Sequence, residues 1–503
     1  MFFSKSEPET IALRSEEVNK FYEPLVLLKV LNNATKDKAV QASLEASIDA
    51  TNQGEAFKAF VYKLAHICDS EKGGSTVTAF AVLREKGGCV HYQFASNQRS
   101  HEKLEETKAY IQGLLNQVKD FDVNMELEKS PSTPMLKKVL IFNRRRVTYY
   151  LKRMRACAKD CMEFQRDGDT RLRSEYDLLH EAYKIINDAL QELIQHAQFD
   201  TPSNTSDKQF AEMCLLLIDH LDNLKHLRVG SMMFDRASKG RSVLAVPSFE
   251  CWSDLQHFIG RILAYKEFIK FIMFASFMWP DLFKRFRISY YESSKKMKKP
   301  CPEKSQTAEA IVHRMTDDQQ MKQVFRVFVR DLQMFQLDNS IQEECEKKSF
   351  RPIVHSEVLL LNELEKQGLL KPQHFFNRCM YIGSSKPTCR LCDHYFEAHD
   401  SKVGRRVSHG NLYLNWRFPD VLRTQGKKGE KKRQAMFERV LRKVRHDAFE
   451  VVMRKTPSRY KKEDSITVSA TMSAVVRRHM AITRPVEGYR DDLASVIALI
   501  GSG

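Results

Sequence analysis

Two short motifs constrain this 503-residue chain more than any other feature: His355-Ser356-Glu357, and Pro387-Thr388-Cys389-Arg390-Leu391-Cys392. Cysteines three residues apart at the start of a helix lie on one face. The positive end of that helix favours their thiolate forms. Zinc takes four ligands in a tetrahedron, and a catalytic site leaves one position for water. Cys389 and Cys392 with one imidazole supply three, and His355 is the best third ligand because a carboxylate, Glu357, stands two residues on. Residues i and i+2 do not share a face in mid-helix, but both can face a site at a first turn, as His355 does after Pro352-Ile353-Val354. The pattern between the motifs predicts a helix from Val354 to near Gly368, a buried strand over Cys379–Ile382 and a helix over Cys389–His399, so that two helix N-termini meet over one metal. Two other readings use the same cysteines. One is a closed, zinc-finger-like site completed by two of Cys379, His394, His399 and His409. The other is plain burial of both thiols.

The rest of the chain divides by pattern. Apolar residues at helical spacing (Phe21, Leu25, Leu28, Leu31) mark an N-terminal segment, 1–50. Glu55–Asp69 reads as an amphipathic helix. Thr76–Arg84 and Cys89–Ala95 read as strands joined at Gly87-Gly88, a hairpin signal. From 100 to 345 the pattern is helical almost throughout, with one helix expected over Leu136–Met154 and others near 173–198, 207–226, 250–278 and 305–335. A second short strand is expected at Asn411–Leu414, a long basic helix over Lys431–Arg454 and a last helix at Asp491–Ile500. The Arg144–Arg146 run reads as a solvated helix face or a phosphate contact.

The formal net charge is +17, which draws polyanions, nucleic acid first among them. The most apolar stretch, Phe258–Trp279, carries Arg261, Lys266, Glu267 and Lys270 and is too charged to span a bilayer. The N-terminus lacks the apolar core of a signal peptide, and eleven scattered cysteines form no disulfide framework. A cytoplasmic or nuclear protein with no membrane partner is the expectation.

The H-x-E … P-C-x-x-C order is the signature of zinc-dependent nucleobase deaminases. At these residues the chain resembles the OTT-type deaminase-like proteins of fungi, within the cytidine-deaminase-like superfamily. Val354–Glu357, Tyr381–Cys392 and Ser408–Tyr413, leading to Trp416 and Pro419, carry the resemblance over roughly 350–420. The commoner signature sets Pro directly before the first Cys; here Thr388 intervenes. The resemblance implies a helix and β-hairpin ahead of the H-x-E helix, best matched by Glu55–Asp69 and 76–95, and an Asn after the second strand that binds the substrate's sugar or base, the place of Asn97.

The expected fold class is therefore α/β: a three-layer cytidine-deaminase-like core, discontinuous, with a large all-helical insertion. The segments are 1–50 (N-terminal helix), 51–99 (first part of the core), 100–345 (insertion), 346–460 (second part, with the zinc site) and 461–503 (helical tail). Glu357 is the expected catalytic proton shuttle and His355, Cys389 and Cys392 the zinc ligands. Asn97, Ser385, His409, Tyr413 and Trp416 are the expected substrate contacts, the two aromatics because a ring face stacks any base. The expected reaction is hydrolytic removal of an exocyclic amine, from cytosine first and adenine second, in single-stranded DNA or RNA. A free-nucleoside deaminase, a toxin or defence effector with the same chemistry, and a non-catalytic zinc-stabilised scaffold are the alternatives.

Overall fold

In the computed structural model the described residues are 9–34, 52–119, 132–172, 177–199, 205–240, 250–300 and 306–454. The expected tail, 461–503, and the helix at Asp491–Ile500 lie outside them.

The strands are β1 (Thr10–Ile11), β2 (Thr78–Arg84), β3 (Val90–Ser96), β4 (Phe286–Tyr291), β5 (Tyr381–Ser384), β6 (Gly404–Arg405) and β7 (Val421–Leu422). The helices are α1 (Ser15–Ala34), α2 (Gln53–His66), α3 (His101–Lys119), α4 (Ser132–Phe142), α5 (Arg144–Leu172), α6 (Asp177–His196), α7 (Asp207–Leu224), α8 (Arg228–Gly240), α9 (Glu250–Met278) and α10 (Asp281–Lys284). They continue as α11 (Ala308–Met315), α12 (Gln319–Leu332), α13 (Leu337–Glu346), α14 (Ser356–Lys366), α15 (Arg390–Ala398) and α16 (Gly426–Arg454).

Five strands form one mixed sheet in the order β4-β3-β2-β5-β6. β2 and β3 pair antiparallel from Thr78 opposite Ser96 to Arg84 opposite Val90. Their turn needs left-handed backbone at Gly87 and Gly88, where φ is 86° and 80°, and a side chain there would be strained. β5 runs antiparallel to β2, with Phe80 opposite Gly383.

Both faces of this sheet are covered, so β2 and β3 are buried nearly throughout, the polar His91, Gln93 and Ser96 included. Phe80, Val82, Tyr92 and Phe94 point into one core with α2 and the helices α3–α9. Ala79, Ala81, Leu83 and Ala95 point into a second core with α1 and α11–α16. The alanines on this second face let α14 settle against β2, β3 and β5. On the other face Gly383 performs the same service for α2, since a Cβ there would stand 2.7 Å from the Tyr62 backbone nitrogen. The molecule is thus mixed α/β, with helices on both sides of one sheet.

Three expectations need correction. The stretch 100–345 is not helical throughout: β4 lies inside it and pairs in parallel with β3 over six residues, Val90–Ala95 against Phe286–Tyr291. The expected Leu136–Met154 helix is broken at Asn143, whose side-chain amide donates to the carbonyls of Ile67 (2.8 Å) and Val139 (2.9 Å), tying α4 to the end of α2. No strand forms at Asn411–Leu414. The edge strand is β6, earlier in the chain, and the following segment is held by isolated bridges, Thr388 to Ser408 and Ile353 to Trp416.

Candidate metal centre and active site

The two motifs meet where the N-termini of α14 and α15 converge. His355 is the N-cap of α14, and its carbonyl accepts from Leu359 N at 2.8 Å, but its side chain makes no capping bond. Asn97, just past β3, does that work instead: its Oδ1 accepts from Ser356 N at 2.7 Å while its Nδ2 donates to the Gly74 carbonyl at 2.8 Å. The imidazole is thereby left for other duty. Ile353, two residues earlier, is clamped by Asn415 O (3.2 Å) and by Arg417 N (2.8 Å).

Cys389 is the N-cap of α15 and Cys392 lies in its first turn. The loop before them is pinned through Thr388, whose N donates to Val407 O (3.2 Å), whose carbonyl accepts from His409 N (3.0 Å) and whose Oγ1 donates to Arg406 O (2.8 Å). The extra residue between Pro387 and Cys389 thus has a structural role of its own.

The Nδ1 of His355 lies 3.5 Å from Cys389 Sγ and 3.4 Å from Cys392 Sγ. All three donor atoms fall within 4.8 Å of one another. The indole N–H of Trp416 donates to Cys392 Sγ at 3.2 Å from the opposite side. A tetrahedron with metal–ligand bonds of about 2.0–2.3 Å has edges of about 3.5 Å, so the donor set and its spacing fit zinc. Among the described residues none of Cys379, His394, His399 and His409 joins this cluster, which gives the closed four-ligand alternative no further donor there; His394 binds Asp447 (2.8 Å) and His399 binds Ser401 (2.8 Å).

The electrostatics follow from burial and proximity. Burial opposes charge on Cys389, but the hydrogen bond from Cys392 and the adjacent His355 outweigh it and hold this thiol well below its ordinary value. Burial and the neighbouring Cys389 push Cys392 well above it. Burial would lower His355, and the Cys389 sulfur reverses this and raises it. Glu357 is buried and its carboxyl is raised above the ordinary carboxylate range by that burial, against the pull of His355. Ser356 Oγ donates to its Oε2 at 3.2 Å.

A cleft of about 760 Å³ opens over this cluster, with His355, Glu357 and Cys389 on its floor together with Asn97, His409 and Tyr413. His409 is buried, with its Nδ1 accepting from Asn411 N at 2.9 Å, and Tyr413 meets it edge-on at 5.8 Å between ring centres. Two expected substrate contacts lie outside the lining of this cleft. Trp416 is wholly buried and packs against Phe418, Phe21 and Tyr395; it faces the metal cluster from behind and offers no ring to the cleft. Ser385 turns its hydroxyl toward Asp69 (3.4 Å) and Thr78 N (3.3 Å), away from the cleft that its neighbours Ser384 and Lys386 line. The Arg144–Arg146 run splits three ways: Arg144 pairs with Asp207, Arg145 with Glu71, and Arg146 is buried against Asp69 at 2.6 Å while it borders the cleft. Only its place opposite α2 makes Arg146 special, and helix periodicity alone does not give that.

Fold and site together define a class: a mixed α/β protein whose two helix N-termini bring a His-Cys-Cys metal-ready cluster and a buried carboxylate to the floor of one cleft. Residues 354–420 match the family model described as OTT_1508-like deaminase, consistent with the OTT-type deaminase-like family. No curated protein and no solved structure matches the chain. No described helix is long and apolar enough to cross a membrane.

Proposed function

We propose that this protein is a zinc-dependent hydrolytic deaminase acting on a nucleobase, cytosine first, and that its sheet and flanking helices are a discontinuous cytidine-deaminase-like core. The observation that carries the reading is the meeting of three metal donors, two of them with Glu357 on the floor of one open cleft. His355, Cys389 and Cys392 would hold the metal, leaving one tetrahedral position for water. Zinc bound there would supply the Lewis acidity that makes water nucleophilic near neutral pH.

The chain's own groups do the rest. Glu357 takes a proton on its carboxylate and returns it to the departing amine, and its burial raises the carboxyl above the ordinary carboxylate range, which favours the proton-holding form. Asn97 fixes the first turn of α14, and with it the spacing of His355 and Glu357. Tyr413 and His409 bound the space in which a heterocycle would lie.

The test uses the full chain and a Glu357→Gln variant, incubated with cytidine, its monophosphate and single-stranded DNA and RNA, with ammonia and product mass as readouts. Loss of at least 10²-fold in turnover with retained zinc is expected, the size of a general acid–base contribution. Turnover unchanged in the variant would remove Glu357 from the mechanism. Zinc bound with every amine left in place would favour the scaffold alternative.

A further inference from the structure

The cleft over the metal cluster is charged in one sense. Over the whole chain 81 Lys and Arg face 64 Asp and Glu, so carboxylates are common elsewhere in the sequence. The described lining of the cleft holds Lys72, Lys296, Lys348, Arg351, Lys386 and Arg146, and Glu357 as its one carboxylate. Arg146 is neutralised by Asp69, and Lys386 donates to the Gly73 carbonyl at 2.9 Å. Lys72, Lys296, Lys348 and Arg351 are exposed, and no described carboxylate pairs with them. They come from three separate stretches: the loop after α2, the extended segment after β4, and the loop before α14. Side chains so distant in sequence share a rim only because the fold collects them there.

One wall of the same cleft comes from α5 and α9, outside the helices that carry the metal donors. Tyr149 and Phe258 line it with ring centres 6.3 Å apart, and Lys72 Nζ sits 4.4 Å from the Tyr149 ring centre. Cations interleaved with ring faces are the makings of a single-stranded nucleic-acid track: the cations follow the phosphates and the rings accept a base without regard to its identity.

Resting on the deaminase reading above, we propose that this rim binds nucleotide phosphates, and that the substrate is a single strand of nucleic acid whose backbone runs along Lys72, Lys296, Lys348 and Arg351 while its target base reaches the floor. Four cations on one rim exceed what a lone phosphate engages, which favours a polymer over a mononucleotide. A single strand also presents its base without the cost of flipping it from a duplex.

The test measures binding alone, so it does not depend on turnover. Full-length protein carrying Glu357→Gln, with zinc added, is titrated with a labelled single-stranded oligodeoxynucleotide, with cytidine monophosphate and with cytidine, over a range of salt. The same protein is prepared with Lys72→Ala, Lys296→Ala, Lys348→Ala and Arg351→Ala together. A charge-matched control carries Lys20→Ala, Lys103→Ala, Lys108→Ala and Lys284→Ala, all outside the cleft. Loss of four phosphate contacts is expected to lower the log–log salt slope of oligonucleotide binding by about 3, with the control unchanged. If the monophosphate binds as tightly as the oligonucleotide and both depend on the rim, the phosphate site stands and its source is a mononucleotide. If cytidine binds as well as either, or the control loses as much as the rim variant, the proposal is overturned. Ammonia release by protein with Glu357 intact reports on the deaminase reading separately.

Discussion

At the scale of residues, the site works by a division of labour. His355 stands at the N-cap of α14 but makes no capping bond of its own. Here Asn97 satisfies Ser356 N, and the His355 imidazole is turned to the two sulfurs. Trp416 is the counterpart behind the cluster, with its N–H on Cys392 Sγ. Hydrogen bonds from beyond the ligand shell orient ligands and tune the metal. Trp416→Phe keeps a ring in the core and removes the donor, so zinc affinity, measured by competition with a chelator, should fall about tenfold to hundredfold. Unchanged affinity would reduce Trp416 to a packing residue. The metal cluster and Glu357 were legible because their chemistry is written in spacing. The direction of a side chain was not: Trp416 and Ser385 sit beside the motif in sequence, and only the fold shows that one faces the sulfur and the other faces Asp69.

At the scale of elements, legibility followed locality. The β2–β3 hairpin was readable because its register is set by a Gly-Gly turn within a few residues. β4 was not, because its parallel partner β3 lies nearly two hundred residues away and no turn announces the pairing. α4 and α5 read as one helix because the break at Asn143 is made by a tertiary bond to the end of α2. The same end of α2 carries Asp69, clamped by Arg146 of α5 at 2.6 Å and by Thr76 Oγ1 at 2.7 Å. Both charged partners are buried, so Arg146→Met would strand a carboxylate and is expected to cost about 3–5 kcal/mol in denaturant unfolding, with Asp69→Leu added to it recovering most of the loss. Burial raises the Asp69 carboxyl, but Arg146 outweighs burial and holds it below the ordinary range. The clamp's contribution is therefore present above the unfolded carboxyl's pKa, about 4, and is lost as pH falls through the lower folded-state value. An Arg146→Met protein as stable as the wild type at neutral pH would show that the clamp does not join α2 to α5 energetically.

At the scale of the molecule, the sheet divides the protein into two cores, and the metal-ready cluster belongs to the one built by α1 and α11–α16. The other, with α3–α9, supplies the far wall of the cleft. The mixed α/β character was visible from hydrophobic periodicity. That 308–346 packs with α1 and α16 was not, since amphipathic helices do not name their partners in sequence. The family match over 354–420 covers both motifs and leaves Asn97, the hairpin and the helical wall to be argued from the structure. The central claim is that His355, Cys389 and Cys392 hold a metal, and zinc content of the purified full chain tests it most directly. About one zinc per chain is predicted, lost on His355→Ala or Cys392→Ala while circular dichroism still reports a helical fold. A folded wild-type protein that takes up no zinc, or whose zinc survives both substitutions, would contradict the account.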